Sequence, residues 1–379
     1  YGKLRFSWGE NGNRDIGQYE ALSDMTSGPH PYIDQTGNVY ITSQMYVNRM
    51  SNSELKWERK ASYNAGLDFS FLNNRLSGSI DGYIANTFDL LVDRVLPEIS
   101  GFNSVAANLG QLQTKGFEVT LNAGIIERQN FSWNANANFF LNRREIITLY
   151  GDMVDVLDDE GNVIGQKEAD DIQNQWFIGR DPDQIWNYEH IGVWQVEEAE
   201  QAAVYGLQPG DFKYKDQNED GVMTNADRIF MGYSTPRFNW NLRNEFIFNK
   251  NLSLSFLMYS HWGQYGSFNR ASNSSGFKDR VSEYVQPYWT PENRINNYAR
   301  IGSKNDGSVY REKSFIRLDN VTLSYRVPRN LLERISVQDM TLSLSARNVA
   351  VFSPHWDFWD PENSNPAPRS INASVNFTL

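Results

Sequence analysis

The feature that most constrains this chain is a period-two alternation of apolar and polar residues. Between residues 63 and 71 every second residue is apolar, whereas Asn64, Asp68 and Ser70 lie at places between. Strict alternation gives a pleated strand one apolar and one polar face. The same pattern returns at 76–84, 117–125, 131–141, 238–248, 252–258, 321–325, 340–346 and 371–379. The sequence therefore predicts an all-β chain.

Two features distinguish a membrane barrel from a soluble sandwich or jelly roll, which the alternation alone would also fit. Several segments reach the roughly 9 to 11 residues that a tilted strand needs to cross a bilayer, whereas ordinary strands average about 5 to 6. In the 131–141 segment, Asn134, Asn136 and Asn138 occupy the non-apolar places, which suits a water-filled lumen. We therefore expect an antiparallel transmembrane β-barrel.

The lengths of the connections predict how the strands are oriented. Tight turns are expected at 73–74, 127–130 and 249–251. Long connections are expected at 10–57, 92–113, 145–232, 264–313 and 349–369, and a shorter one at 328–338. Outer-membrane barrels keep short turns in the periplasm and long loops outside the cell. The sequence thus predicts about ten membrane strands with long extracellular loops, the strands lying near residues 3, 63, 76, 116, 131, 237, 252, 315, 339 and 370.

Several aromatic residues lie near the ends of the predicted strands. They are Tyr63, Tyr83, Trp133 and Tyr325. Trp and Tyr are enriched where a membrane protein meets the interface, so these residues are expected to form interfacial girdles. The alternative for each is a place in a packed core.

Composition argues against several classes of function. The net charge is −11 at pH 7, and no basic run stands out, so a nucleic acid partner is not expected. The chain has no cysteine, which excludes disulfides, thiolate zinc sites and thiol nucleophiles. The histidines, His30, His190, His261 and His355, are scattered without a catalytic spacing. We expect no enzyme.

The segment 216–227, "DQNEDGVMTNAD", has the spacing of a calcium loop inside the long 145–232 connection. The expected metal ligands are Asp216, Asn218, Asp220, the carbonyl of Val222, and Asp227. An EF-hand ends in a bidentate Glu, so the terminal Asp makes a dockerin-like half-motif the closer match. The interpretation is a structural Ca²⁺ that stiffens an extracellular loop, and the alternative is an Asx-rich turn without metal.

Two further segments of the predicted loops have a recognisable pattern, one helical and one aromatic. The run 196–203, "VEEAEQAA", predicts one or two exposed helical turns. In "HWDFWDPE", residues 355–362, the side chains of Trp356, Phe358 and Trp359 could stack on a sugar ring. The alternative is that this aromatic cluster anchors a packed loop.

Five blocks of the sequence resemble the SusC/RagA class of TonB-dependent transporters. They span residues 52–91, 115–126 ("KGFEVTLNAGII"), 208–248, 313–328 ("KSFIRLDNVTLSYRVP") and 344–354 ("LSARNVAVFSP"). The resemblance implies a 22-stranded barrel in the bacterial outer membrane that imports oligosaccharides or peptides. It also implies a SusD-like lipoprotein that caps the extracellular mouth, and energy supplied through TonB.

The family's TonB box, plug domain and first strands have no counterpart here. Residues 1–379 are therefore expected to be the C-terminal portion of such a barrel, with outer-membrane lipid and the remaining N-terminal barrel and plug part as partners. The last segment resembles the family's C-terminal assembly signal, although Leu379 replaces the usual aromatic residue. The alternatives are a small self-closed structural or surface-binding barrel without transport, and a soluble polysaccharide-binding sandwich.

Overall fold

The structure is a computed structural model that describes residues 1–13, 19–158, 160–268, 287–303, 309–333, 337–357 and 359–378. In chain order its strands are β1 (Gly2–Asn13), β2 (Asp24–Ile33), β3 (Val39–Arg49), β4 (Glu58–Phe71), β5 (Leu76–Val95), β6 (Ser104–Arg128), β7 (Phe131–Thr148), β8 (Met153–Leu157), β9 (Val163–Glu168), β10 (Gln184–Tyr188), β11 (His190–Val193), β12 (Phe212–Tyr214), β13 (Arg228–Tyr233), β14 (Phe238–Phe248), β15 (Leu252–Trp262), β16 (Tyr265–Ser267), β17 (Tyr310–Glu312), β18 (Phe315–Arg326), β19 (Asp339–Arg347), β20 (Ala350–Phe352) and β21 (Ser370–Thr378).

Helices are few and short in the described part of the chain. The α-helices are α1 (Ala199–Val204) and α2 (Arg329–Leu332), and 3-10 turns span Glu98–Ser100, Val196–Glu198 and Asn225–Asp227. The helical turns predicted for 196–203 are therefore confirmed. None of the helices described is both long and apolar enough to cross a bilayer.

Ten strands form the path of one large sheet in the order β1-β4-β5-β6-β7-β14-β15-β18-β19-β21, and β20 pairs with β18 beside it. These ten are the strands that the alternation predicts, so the all-β antiparallel fold is confirmed. Neighbours along the path are joined in sequence order, as up-and-down barrels require. The order has two ends, β1 and β21.

The tight turns follow from residues that tolerate a left-handed backbone. Leu72, Asn73 and Asn74 have φ values of 52°, 56° and 67°, and Asn249 and Lys250 have values of 48° and 61°. Asn reaches this region more readily than most residues, and turns with positive φ match the twist of a hairpin. The predicted connections at 73–74 and 249–251 are therefore short, as expected.

The predicted long connection at 92–113 is wrong for most of its length. β5 continues to Val95 and β6 begins at Ser104, which leaves a connection of residues 96–103. Beyond the bilayer both faces of a strand meet water, so the apolar period that identifies a membrane strand disappears while the hydrogen-bonded ladder continues. In the 10–57 connection the chain likewise forms the hairpin of β2 and β3.

Contacts divide the chain into two compact units. The first comprises Tyr1–Phe69, Ser79–Glu118 and Asn142–Pro182, and the second comprises Ser70–Gly78, Val119–Leu141 and Asp183–Leu379. In the first, Ile146 and Leu149 form a small buried core. The second contains a larger core built by loops.

One face of the large sheet carries large apolar side chains that no other part of the described chain covers. Phe6 in β1 is 78% exposed and Ile371 in β21 is 75% exposed, and Leu4, Val375 and Phe377 are also exposed. A contiguous apolar surface of this kind marks contact with lipid or a partner. The opposite face of the same strands is polar.

Candidate functional site

A network of amide side chains covers the polar face of β6, β7 and β14. The Asn138 amide donates hydrogen bonds to Asn136 Oδ1 (3.0 Å) and to Asn241 Oδ1 (2.9 Å) on the neighbouring strand. Thr120 Oγ1 donates to Asn138 Oδ1 (2.9 Å), and Asn136 Nδ2 donates to Asn122 Oδ1 (2.7 Å). Each bond fixes one amide and leaves further donors and acceptors for water or a polar ligand. The polar face predicted from Asn134, Asn136 and Asn138 is present.

A cavity of about 240 Å³ opens beside this network. Its lining includes the amides of Asn122, Asn134 and Asn136 and the charged side chains of Arg243 and Glu245. Amides together with one cation and one anion can hydrogen-bond both hydroxyl groups and peptide groups. The polar face therefore suits polar solutes.

A buried charge cluster lies towards the loop end of the polar face. Nη2 of Arg317 lies 2.7 Å from both carboxylate oxygens of Asp360, and 3.3 Å from Glu362 Oε2. Tyr259 lies opposite Arg317 in the β15–β18 register, and its hydroxyl donates to Glu362 (2.9 Å). Asn348 accepts a further hydrogen bond from the guanidinium. A cavity of about 300 Å³ borders these groups.

Three of the long connections meet in one hydrophobic cluster, which we term the loop core. Its buried members are Val193 and Phe212 from 145–232, Phe268, Trp289, Ala299 and Val309 from 264–313, and Trp356 from 349–369. A core of this kind gives loops the fixed packing that scattered surface segments lack. The loops are therefore held together as one layer.

Polar contacts fasten the loop core at its margins. Arg300 Nε donates to Asp211 Oδ1 over 2.8 Å, and the Asp211 side chain is 1% exposed. Trp289 Nε1 donates to Gln195 Oε1 over 3.0 Å. Each contact joins the 145–232 segment to the 264–313 segment, so hydrogen bonds reinforce the apolar packing between these two connections.

The aromatic residues predicted to contact ligand have different surroundings. Trp356 is 6% exposed, and its ring packs edge-on against Phe268 with centroids 5.3 Å apart. Trp359 is half-buried with a φ of 43°. Phe358 lies outside the described residues. The position of Trp356 matches the loop anchor that the sequence offered as the alternative, while sugar contact by this aromatic cluster stays a prediction.

The predicted calcium loop folds around its own carboxylates. Asp216 Oδ1 accepts a hydrogen bond from the N–H of Glu219 (2.7 Å), and Oδ2 accepts one from that of Gly221 (2.8 Å). Burial raises the pKa of Asp216, but hydrogen bonds from Gly221 and from the Tyr205 hydroxyl outweigh it and hold the pKa below its usual value. Asp220 Oδ1 accepts from the Val222 N–H (2.8 Å). These contacts favour the anionic form of the Asp216 carboxylate and fix the direction in which the Asp216 and Asp220 oxygens point.

Asp227 closes the loop and is completely buried. Its Oδ1 accepts from the Gln217 N–H (3.0 Å) and its Oδ2 from the Thr224 N–H (2.7 Å) and hydroxyl (3.4 Å), which caps the 3-10 turn Asn225–Asp227. A carboxylate offers about four lone-pair sites, so little capacity remains on this residue. Nowhere in the described residues do three or more His, Asp or Glu side chains group to hold a metal.

The donors of this loop suit calcium better than a transition metal. Asp216, Asn218, Asp220 and the Val222 carbonyl supply only oxygen, which calcium prefers. The exposed Asn218 and Asp220 side chains keep lone pairs for a cation, whereas the contacts of Asp227 limit it to a minor ligand. The five predicted residues are thus together on one loop, and Ca²⁺ binding stays a prediction.

The histidines lie on separate elements. His190 packs edge-on against Phe212 with ring centroids 4.8 Å apart, and burial lowers its pKa to about 4. His30 lies in β2, His261 in β15, and His355 lies 3.7 Å from Glu312. The structure therefore assigns His190 a packing role.

The comparisons with known proteins decide the family. The chain matches the family described as "TonB dependent receptor-like, beta-barrel" over residues 2–349. This chain belongs to that family. Its members are outer-membrane β-barrel proteins, so the exposed apolar face of the TonB-dependent receptor sheet is the surface that meets lipid.

Curated relatives of this TonB-dependent receptor chain include two proteins of Formosa agariphila and one of Bacteroides thetaiotaomicron. TonB-dependent receptor P26 is 28% identical over 408 residues, covering 100% of this chain and 40% of P26. TonB-dependent receptor P3 is 30% identical over 387 residues, which cover 100% of this chain and 37% of P3. The Bacteroides protein, TonB-dependent receptor SusC, is 26% identical over 392 residues, which cover 100% of this chain and 37% of SusC. The chain spans about two fifths of the length of these relatives.

Solved structures support the fold of this receptor chain. The structure of the RagAB peptide transporter matches with a TM-score of 0.74 at 24% identity, covering 99% of this chain and 40% of that one. The RagAB peptide importer in the "open-open" state matches with a TM-score of 0.73 at 23% identity, covering 100% and 40%. Both comparisons show that this chain shares its fold with about two fifths of those chains.

Sequence reasoning missed the buried pair of Arg317 and Asp360. The only sequence feature that pointed to it was a charged residue within the 313–328 block, between the apolar residues Ile316 and Leu318. Its carboxylate partner lies 43 residues further along the chain. No periodic pattern connects positions so far apart.

Proposed function

We propose that this chain forms part of the wall and the extracellular loops of an outer-membrane, TonB-dependent importer of oligosaccharides or peptides. The family match over residues 2–349 carries this proposal. The amide network on the polar face adds to it, because a wall lined with neutral donors and acceptors lets polar solutes pass without binding them too tightly. The chain acts as a transporter wall and has no catalytic role.

The partner we propose for the loops is a SusD-like lipoprotein lid. The similarity to the relative named SusC and to the RagAB peptide transporter supports this partner. The loop core holds the loops around it in a fixed arrangement, and loops that are already ordered lose less conformational entropy when a partner binds. We propose that energy comes from TonB through N-terminal barrel and plug parts outside this chain, which spans about two fifths of the length of its relatives.

Both proposed substrate classes fit the chemistry of the polar face. Amide side chains form hydrogen bonds with sugar hydroxyls and with peptide groups alike, and Arg243 and Glu245 can recognise charged peptide termini or side chains. The similar fold of the RagAB peptide transporter supports peptides as one class. Among the predicted aromatic residues that the structure describes, Trp359 is more exposed than Trp356 and is the one that could offer a sugar an aromatic surface.

A small self-closed barrel without transport is the competing proposal. It requires β1 and β21 to pair, whereas the sheet order of the described residues ends at these two strands. The relatives, which are more than twice as long, favour a larger barrel.

We further propose that the loop of residues 216–227 binds a structural Ca²⁺. The all-oxygen donor set, with the exposed side chains of Asn218 and Asp220 on one loop with Asp216, supports this. Bound calcium would supply positive charge that ties the loop together, and would take no part in transport chemistry.

The experiment that tests the import proposal uses the complex from its native membrane. Outer membranes are solubilised in mild detergent, and the co-purifying chains are identified by mass spectrometry. A SusD-like lipoprotein and a plug-bearing barrel sequence are expected, and deletion of the gene should abolish growth on one defined oligosaccharide or peptide mixture but not on glucose. Isolation of this chain alone at about its 43.6 kDa mass, with unchanged growth on every mixture, would contradict the proposal.

A further inference from the structure

The lipid-facing side of β1, β4, β5 and β6 contains an apolar groove. Trp8 lies opposite Tyr63, and Phe6 lies opposite Ala65, in the regular β1–β4 register. The same cavity, of about 770 Å³, is also lined by Gly82, Ile84 and Lys115. The small residues Ala65 and Gly82 form its floor, and the larger side chains form its sides. A Cβ added to Gly82 would meet no heavy atom within 4 Å, so the space above it is open.

Lys115 marks the point where this face changes from polar to apolar along β6. Towards the loops, Gln111 and Gln113 both donate to Asn86 Oδ1, over 3.1 Å and 3.0 Å. Towards the periplasmic turn, the next residue on this face is Phe117, which is 40% exposed. A lysine at such a boundary can extend its ammonium group to the membrane interface while its stem stays among apolar groups.

The ammonium group of Lys115 is available to a ligand. The side chain is exposed, and within the described residues it forms neither an ion pair nor a hydrogen bond. Trp8 and Tyr63 accompany it, and aromatic residues of this kind concentrate at the level of lipid headgroups. Lys115 lies on the side of the long loops, which is the extracellular side of such barrels.

We propose that this groove binds a phosphate-bearing lipid of the outer leaflet, with an acyl chain over Gly82 and the phosphate at Lys115. Charge complementarity selects the phosphate, because an unpaired cation next to a lipid interface attracts an anionic headgroup. The open apolar floor accommodates the chain, because Ala65 and Gly82 carry no bulky side chain that would fill the space. The proposal depends on the membrane position of the sheet and is independent of what the protein imports.

The test measures lipid retained by the native complex, purified in detergent and stripped of endogenous lipid. Lipid A, the same lipid A with its phosphates removed, and phosphatidylglycerol are added separately, and bound lipid is counted by native mass spectrometry. Lys115→Gln is expected to lower lipid A occupancy about fivefold, and Lys115→Arg should preserve it. Gly82→Leu should lower retention of lipid A with or without its phosphates, because it fills the groove.

Lys60→Gln provides the matched control. Lys60 is an exposed lysine of β4, three residues before Tyr63 and on the polar face, and its removal should leave lipid A occupancy unchanged. Equal binding of lipid A with and without phosphates, or no effect of Lys115→Gln, would overturn the headgroup assignment. Tighter binding of phosphatidylglycerol than of lipid A would overturn the outer-leaflet assignment. If Gly82→Leu retained as much lipid as the wild type, the acyl chain would not lie over Gly82.

Discussion

Nη2 of Arg317 lies 2.7 Å from each carboxylate oxygen of Asp360, and both side chains are almost completely buried. The pair ties strand β18 to the connection of residues 349–369. Two charges removed from water are stable only with a partner, so each residue makes the burial of the other possible. The pair therefore fixes one long loop to the polar face of the sheet.

We predict that Asp360→Asn destabilises this connection by about 3 kcal/mol, because it leaves the buried guanidinium without its main counter-charge. Limited proteolysis of the folded protein measures the effect. Cleavage within residues 353–369 should appear at protease concentrations that leave the wild type intact.

Glu362→Gln is the matched control for this prediction. Glu362 also contacts Arg317, at 3.3 Å, but its side chain is 37% exposed. Solvent screens such a contact, so the substitution should cost less than about 1 kcal/mol. If both variants were cleaved like the wild type, the ion pair would have no role in holding the loop.

The loop core should loosen in acid because of His190. Burial first, and then the positive charge of Arg311, lower the pKa of this imidazole to about 4. The unfolded value is about 6.5, so the folded loops favour the neutral ring and the unfolded chain takes up the proton first. The contribution, about 3 kcal/mol, is complete above pH 6.5 and is lost as the pH falls towards 4.

Hydrogen exchange of the β11 and β12 amides, corrected for intrinsic rates, tests this pH dependence. Protection should fall between pH 7 and pH 5 in the wild type, and His190→Phe should keep it constant because Phe cannot titrate. His30→Phe, an exposed position in β2, should leave the wild-type profile unchanged. A wild-type profile that is flat over this range would disprove the assignment to His190.

The sequence was sufficient for the strands that cross the bilayer but not for their extensions. Within the membrane each strand has one lipid face, so Phe6 and Trp8 alternate with polar residues and reveal the strand. Above it, residues such as Gln111 and Gln113 lie on the same ladder with polar side chains, and the pattern ends before the strand does. Backbone hydrogen bonds to the neighbouring strands continue beyond the point where the alternation of apolar residues ends.

The candidate site depended on long-range packing that no local pattern encodes. The alternation correctly assigned Asn136 and Asn138 to the polar face, since the strand period alone fixes that direction. Trp356 could equally have been a ligand platform or an anchor, because only its meeting with Phe268 from another loop distinguishes the two. Contacts between loops that are distant in sequence determine the role of residues such as Trp356.

Substitution by alanine should destabilise the protein at one glycine of β5 and have almost no effect at another. A Cβ at Gly78 would lie 2.0 Å from the carbonyl oxygen of Thr120, whereas one at Gly82 would meet nothing within 4 Å. Gly78→Ala must push two backbones apart, at a cost of about 1 to 3 kcal/mol, and Gly82→Ala should change stability by less than about 0.5 kcal/mol. The two variants are compared by gel electrophoresis of heated samples. The quantity measured is the temperature at which each variant loses the faster mobility of the folded protein. Equal temperatures would show that the strands at Gly78 can separate freely.

Calcium at millimolar concentration should protect the loop of residues 216–227 from hydrogen exchange. A ligand that binds only the folded loop stabilises it by RT ln(1 + [Ca²⁺]/Kd), which is about 2.7 kcal/mol at one hundred times Kd. Asp220→Ala removes an exposed carboxylate that retains free lone pairs, and it should abolish the calcium effect while leaving the Asp227 cap intact. Asp155→Ala, in β8, is the control and should keep the response. If amide protection in 5 mM calcium equalled that in chelator, the loop would be an Asx turn held by its own hydrogen bonds, and the alternative interpretation would be correct.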